Sequence, residues 1–272
     1  MKKVISVLLL IVMIFALITG CSTNDDIKQP ADDNTNQSPS GDTTKDKLIM
    51  YTNAEFAPFE YFEGQNIVGV DIDIANEIAN SLGKELVVEH LDFDSLLPAI
   101  MTGKADFVAA GMTITSDRQE EVDFSIPYVD SVQNIIYKTD AKYKSMEDLK
   151  GKVIGVQLGT TGDLAVSDAI NTEEGELKGS GAEVKMYSNA LEAAQDLMAG
   201  RLDAVVIDKL PAEEIAKNNS DKLGTANFGE IGEYYGIAVK KGNTELLNAI
   251  NSTLEKLLEE NKIEVFIDNH TK

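Results

Sequence analysis

The sequence predicts an α/β protein of two similarly built lobes, each a mostly parallel sheet flanked by helices. Three observations lead there. From Leu48 onward, short apolar strands alternate with amphipathic helices, an order that lays parallel strands beneath covering helices. The alternation restarts near residue 145. Two segments also match: Ile100-Met-Thr-Gly103-Lys-Ala-Asp106-Phe-Val and Leu197-Met-Ala-Gly200-Arg-Leu-Asp203-Ala-Val. Each is the end of a helix, a glycine cap, a basic residue, one variable position, an aspartate and a buried strand. A helix–glycine–strand joint is common by itself. The shared detail speaks for two lobes of one design, facing each other across a cleft.

In chain order, Lys2 and Lys3 precede an apolar run from Val4 to Ile18. That is the pattern of a secretory signal peptide over residues 1–20, and the run is short of the roughly 20 residues that span a bilayer. Ile18-Thr19-Gly20-Cys21 reads as a bacterial lipobox whose cysteine carries the lipid. Cys21 is the only cysteine, so it has no disulfide role, whereas acyl chains on it would bury about 0.8 kcal/mol per CH2 in a membrane. Residues 21–46 are the lipidated cysteine and a spacer rich in Ser, Thr, Asn, Asp and Pro, too polar to offset the entropy of ordering.

Leu48–Tyr51 opens the body as a strand. Asp71–Leu82 is a helix with Ile72, Ala75, Ile78, Ala79 and Leu82 on one face and Gly83 as its stop. Leu86–Val88 is a strand, Ser95–Met101 a helix, and Phe107–Ala110 a strand. Ser145 and Asp148 form a capping-box pattern, followed by a strand at Val153–Val156 and a helix at Asp163–Ile170. A strand at Val184–Tyr187, a helix at Ala190–Ala199 capped by Asn189, and a strand at Ala204–Ile207 come next. Thr244–Glu260 forms a long final helix.

The chain holds 46 acidic and 24 basic residues, a net charge of −22; loss of Lys2 and Lys3 with residues 1–20 takes it to −24. Such a chain disfavours a nucleic-acid partner. His90 and His270 are far apart in sequence, so no metal constellation is legible. No Ser-His-Asp arrangement and no glycine-rich phosphate loop is apparent. The expectation is therefore no catalytic residues, no metal and no cofactor.

In open α/β sheets ligands sit at the carboxyl ends of strands. The residues there are Asn53 and Phe56, then Gly111, Thr113 and nearby Arg118, then Gln157, Thr160 and Thr161, and finally Asp208. They suit a zwitterionic α-amino acid. A carboxylate matches the guanidinium fork of Arg118, the Thr113 hydroxyl and the helix start at Thr160-Thr161. An α-ammonium matches Asp208, and a ligand side chain could lie between Phe56 and Phe93. Each residue also has a plainer reading. Arg118 lies in a polar Ser-Asp-Arg-Gln-Glu-Glu run, Asp208 and the threonines can simply cap helices, and Phe56 can be core.

Phe-Ala-Pro-Phe-Glu-Tyr at 56–61, Val68-Gly-Val-Asp71-Ile-Asp73, Ala110-Gly111-Met112-Thr113-Ile114-Thr115 with Arg118, and Val122-Asp-Phe124-Ser125 with Pro127-Tyr128 together resemble the polar amino acid family of ABC solute-binding proteins. The likeness covers residues 47–272 in the family's order and spacing. It implies the periplasmic binding protein-like II fold, with lobe 1 at 47–130 and 236–272, lobe 2 at 131–235, and hinge crossings near 128–132 and 231–235.

The resemblance also implies site roles. Phe56 and Phe93 sandwich the ligand side chain. Ala110, Gly111, Thr113 and Arg118 hold the carboxylate, and Thr160 and Thr161 close on it. Asp208 accepts the ammonium, while Asn53 and Gln157 lie near the ligand side chain. Asn53 stands where some receptors for cationic ligands carry an aspartate, which weakens a lysine or arginine reading, with Glu55 as a compensating acid of unknown placement. The expected function is a monomeric receptor, lipid-anchored on the outer face of the cell membrane. It would bind a polar or basic L-amino acid and deliver it to an ABC permease with a cytoplasmic ATPase. The alternatives on the same fold are a cyclohexadienyl dehydratase-like enzyme, with Glu55 or Glu60 as the acid, and an amino acid sensor.

Overall fold

The computed structural model describes residues 46–228 and 232–271. The signal-peptide, lipobox and spacer readings, Cys21 included, fall outside those residues, as does Ile231 of the second crossing. Among the described residues no helix is long and apolar enough to cross a membrane.

The first sheet is founded on β1 (Lys47–Thr52), which buries the alternate residues Leu48, Met50 and Thr52. A small antiparallel sheet follows, of β2 (Glu55–Phe56), β3 (Glu60–Glu63) and β4 (Asn66–Val68). Helix α1 (Val70–Ser81) buries Val70, Ile74, Ala75 and Ile78 at helical spacing. It leads through Gly83 into β5 (Glu85–His90), parallel to β1. A 3-10 turn at Phe93–Ser95 precedes helix α2 (Leu96–Met101), and Gly103 turns the chain into β6 (Phe107–Val108), parallel to β1 on its other side.

That last strand is two residues long where the sequence suggests four. The chain turns at Gly111 (φ +50). Met112–Ile114 then bonds to residues 234–236 instead: Ile114 N donates to Tyr234 O at 2.8 Å and Gly236 N to Met112 O at 3.0 Å. Helix α3 (Ser116–Glu121) follows, capped by the Thr115 hydroxyl, then β7 (Val122–Phe124) and β8 (Val129–Ser131).

The second sheet begins with β9 (Gln133–Lys138). The Ser145 box opens only a 3-10 turn at Met146–Leu149, with Asp148 accepting from Ser145 N. Next come β10 (Val153–Gln157), α4 (Thr161–Asn171), β11 (Glu183–Tyr187), α5 (Ala190–Met198), β12 (Ala204–Asp208), α6 (Lys209–Asn218) and β13 (Leu223–Asn227). The chain returns through β14 (Glu233–Tyr235), antiparallel to β8, and ends in β15 (Ala238–Lys240), α7 (Thr244–Glu259) and α8 (Lys262–His270).

The sheets are twins, in orders β5-β1-β6-β15-β7 and β11-β10-β12-β9-β13. In each, three parallel strands joined by helices lie beside two antiparallel ones, so the sheets are mixed. The antiparallel neighbour of the third strand, β15 in one sheet and β9 in the other, is the one the chain reaches directly after passing between the sheets.

The internal repeat has a structural cause. Asp106 Oδ2 accepts from Ile49 N at 2.8 Å while Asp106 N donates to Ile49 O at 2.9 Å. Asp203 does the same to Val153, at 2.8 Å for both bonds. Each aspartate ties the entry of the third strand to the first and satisfies backbone groups that the short ladder leaves out. Ala in place of Asp106 or Asp203 removes one such acceptor. Each change is expected to lower unfolding free energy by about 1–3 kcal/mol, and the two effects should add because they share no partner. Urea denaturation of the single and double variants checks this; unchanged midpoints would refute the role.

Candidate functional site

The parallel strands of both sheets aim their carboxyl ends at a common cleft, and the residues just past those ends line it. Phe56, Phe93, Gly111, Thr113 and Arg118 come from the first sheet's side, and Gln157, Thr160, Thr161 and Asp208 from the second's. The cavity between them is about 10 Å³, room for one water molecule, so the lobes are closed on their own side chains.

Arg118 is delivered by α3 and is 8 % exposed. Its Nη1 donates to Thr113 O at 2.6 Å, and its Nη2 crosses to Gly159 O at 2.9 Å. Its guanidinium carbon lies 5.4 Å from the Phe93 ring centroid. Burial lowers its pKa, opposed by the charges of Asp208 and Glu233, so the opposite wall of the cleft already feels this cation. Asp208 ends β12 and starts α6, yet its side chain makes no capping bond. Its Oδ1 accepts instead from Gln133 Nε2 at 2.7 Å. Burial pushes its carboxyl well up, neighbouring Glu233 adds to that, and Arg118 and the Tyr235 hydroxyl pull it back.

Thr160 is a structural cap: its hydroxyl donates to Gln157 O at 2.8 Å and accepts from Asp163 N at 3.2 Å. The Thr161 hydroxyl faces the cleft and donates to Glu233 Oε2 at 2.9 Å. Gln157 lines the cavity and donates to Asn53 Oδ1 at 3.0 Å across the lobes; Asn53, 1 % exposed, donates in turn to Leu91 O. Asn53 therefore stands behind Gln157 and is not among the lining residues. Ala110 packs with Leu96, Ile100 and Met112 in the core beneath the site.

Gly111 is held from below. Its N–H donates to Asp71 Oδ2 at 2.8 Å, and a Cβ there would sit 2.7 Å from the Phe56 ring. The Phe56 plane thus lies flush against the backbone that turns into Thr113. Asp71 also accepts from the Tyr128 hydroxyl at 2.8 Å. Beside it lies Glu60, completely buried, its carboxyl pushed far up by burial and then by Asp71. Burial raises Asp71 to about 6 against the bonds from Gly111, Tyr128 and Glu60. Both shifts favour one retained proton between the two carboxyls.

Two of the acids considered in the sequence lie elsewhere. Glu60 faces Asp71 beneath the site, and Glu55 lines a separate groove of about 360 Å³ with Phe62, Leu191, Pro211 and Glu214. His90 accepts from Ala54 N, and His270 lies between Tyr61 and Asp73.

Sequence reasoning missed two residues that bond to the cavity lining. Gln133 Nε2 contacts Thr161 Oγ1, Asp208 Oδ1 and Glu233 Oε2, at 3.2, 2.7 and 3.1 Å. Glu233 Oε2 also accepts from Thr113 Oγ1 at 3.1 Å. Gln133 directly follows one predicted crossing, 128–132, and Glu233 lies within the other, 231–235, which was the one signal available for them.

The profile of the bacterial extracellular solute-binding proteins, family 3, matches residues 48–271. The arginine-binding extracellular protein ArtP of Bacillus subtilis is 34 % identical over 267 residues, covering 97 % of this chain and 96 % of that one. An ancestral arginine-binding protein solved with arginine is 40 % identical at a TM-score of 0.76, over 84 % of this chain and 99 % of that one. Holo ArgBP from T. maritima is 41 % identical at a TM-score of 0.71, over 78 % and 90 %.

The buried acid pair has a measurable signature. A carboxyl whose folded pKa is raised takes up a proton on folding, so its contribution to stability falls as pH rises from the unfolded value, about 4, through the folded one. Glu60→Gln keeps a hydrogen for Asp71 without an ionisable group. The variant is expected to gain stability relative to wild type as pH rises from 4 to 7, read as the difference between their urea midpoints; a pH-independent difference would refute the shared proton.

Proposed function

The chain belongs to family 3 of the bacterial extracellular solute-binding proteins, and on that premise we propose that it captures a basic L-amino acid, arginine foremost, for an ABC importer. The observation that carries the reading is the convergence of Arg118 and Asp208 from opposite lobes on one cavity. A guanidinium fork and a carboxylate are the complements of the two charged ends of an amino acid. The relatives named for arginine support the side-chain preference. Asn53 argues less against a cationic ligand once it is seen bonded to Gln157.

In this reading Phe56 and Phe93 bracket the ligand side chain, with Gln157 beside it. Thr113, Arg118 and the α4 start at Thr161 hold the carboxylate. Ala110, Gly111, Thr160 and Asn53 act through the backbone and the side chains they position. The lobes, 47–130 with 236–272 and 131–235, part about the crossings at 128–132 and 231–235 to admit the ligand and close when contacts from both sides favour the closed state. The protein acts as a monomer held by lipidated Cys21 on the extracellular face of the cell membrane, and the closed form docks on a permease coupled to a cytoplasmic ATPase.

The family is one of binding proteins rather than enzymes. The two acids that a dehydratase reading nominated, Glu55 and Glu60, lie outside the cleft lining.

The reading is tested by calorimetry of the body lacking residues 1–21, unfolded and refolded to strip bound ligand, against all common L-amino acids. A basic amino acid should bind tightest, and Arg118→Met should weaken it at least about a hundredfold, since a bidentate charged contact is lost. No binding of any amino acid, or full affinity in the variant, would overturn the reading.

A further inference from the structure

Glu233 is a second carboxylate beside the cavity, bonded to the lining residues Thr113 and Thr161, and nothing above gives it a role. Its place is set by backbone pairing: residues 234–236 bond to Met112–Ile114, and β14 pairs with β8. That fixes Glu233 beside Thr113, 120 residues away in the chain. Its Oε2 collects three donors, the hydroxyls of Thr113 and Thr161 and the Gln133 amide nitrogen. The same amide nitrogen serves Asp208 Oδ1. Two carboxylates from different strands thus meet at one neutral nitrogen, whose two hydrogens also face Thr161.

A charged amine satisfies that arrangement better than an amide does. It has three hydrogens and a full positive charge for two carboxylates and one further acceptor. We propose that Glu233 is a second acceptor for the ligand's α-ammonium, sharing that charge with Asp208. This rests on the amino acid reading above.

The exchange of partners on binding is balanced. The ligand carboxylate takes the hydroxyl hydrogens of Thr113 and Thr161, and the ligand ammonium replaces them at Glu233. The separation is right, because the two charged groups of an α-amino acid share one carbon and the donors for one must adjoin the acceptors for the other. With the ammonium holding both acids ionised, Arg118 faces two carboxylates, a surplus of one negative charge that a ligand with a cationic side chain offsets. A carboxylic acid without the ammonium would leave Asp208 and Glu233 only the charge of Arg118, which the ligand's own carboxylate also engages.

The test is calorimetric titration of wild type and Glu233→Gln with L-arginine, or with whichever amino acid the panel selects, and with its deaminated counterpart, which for arginine is 5-guanidinopentanoic acid. Gln keeps an acceptor for both hydroxyls and loses the charge, and circular dichroism checks that the variant folds. The amino acid is expected to bind about ten- to a hundredfold more weakly to the variant, while the deaminated acid binds no worse. Unchanged or tighter binding of the amino acid, or equal weakening of both ligands, overturns the role of Glu233. If the deaminated acid binds neither protein, the amino acid comparison decides. A wild type that binds no amino acid refutes the receptor reading instead.

Discussion

A buried guanidinium is costly to hold, and the arrangement around Arg118 follows from that cost. Taking a full charge out of water loses several kcal/mol of solvation unless other groups replace it. Here the replacements come from both lobes. Thr113 O lies on its own side, Gly159 O on the other, the Phe93 face lies nearby, and the carboxylates of Asp208 and Glu233 supply opposite charge at longer range. Protein groups from both lobes satisfy Arg118 when the lobes are together, and parting them would hand its Nη2 back to water. The Asn53–Gln157 bond and the Thr113 and Thr161 hydroxyls on Glu233 act in the same direction. In the proposed function a ligand that offers its own carboxylate and ammonium takes over these contacts, which would couple capture to closure.

Beneath the cleft, each layer fixes the one above. The Glu60–Asp71 pair holds the Gly111 N–H, Gly111 lets Phe56 lie against the backbone, and the turn at Gly111 directs Met112–Ile114 onto residues 234–236. That last pairing brings Glu233 and Tyr235 to the site. An acid buried next to another acid is a poor way to stabilise a fold; here it anchors a backbone turn that has to be rigid.

Much of this was legible in the sequence, and the residues explain which parts. The parallel strands and their helices read out because a helix and a buried strand impose different periods on apolar residues, as in Val70–Ser81 and Ala204–Asp208. The Asp106 and Asp203 repeat was visible because the same backbone joint needs the same acceptor twice. The antiparallel strands β9, β13 and β15 were missed, because their pairing is decided by the chain passing between sheets rather than by local pattern. Helix α6 follows directly on a residue read as a ligand, and α8 follows α7 across only Glu260 and the left-handed Asn261, so neither carried a clear boundary signal. The motif residues Phe56, Gly111, Thr113, Arg118, Thr161 and Asp208 were found from strand ends and resemblance. Gln133 and Glu233 were not, because their meeting joins positions 100 residues apart that no local spacing relates.

The central claim is that one zwitterion spans Arg118 and Asp208. A crystal structure of the body with the amino acid selected by binding tests it most directly. The account predicts the ligand carboxylate about 3 Å from the Arg118 guanidinium and its α-ammonium at the same range from Asp208. A ligand lying reversed between these groups, or seated in the groove beside Phe62 and Leu191, would contradict it.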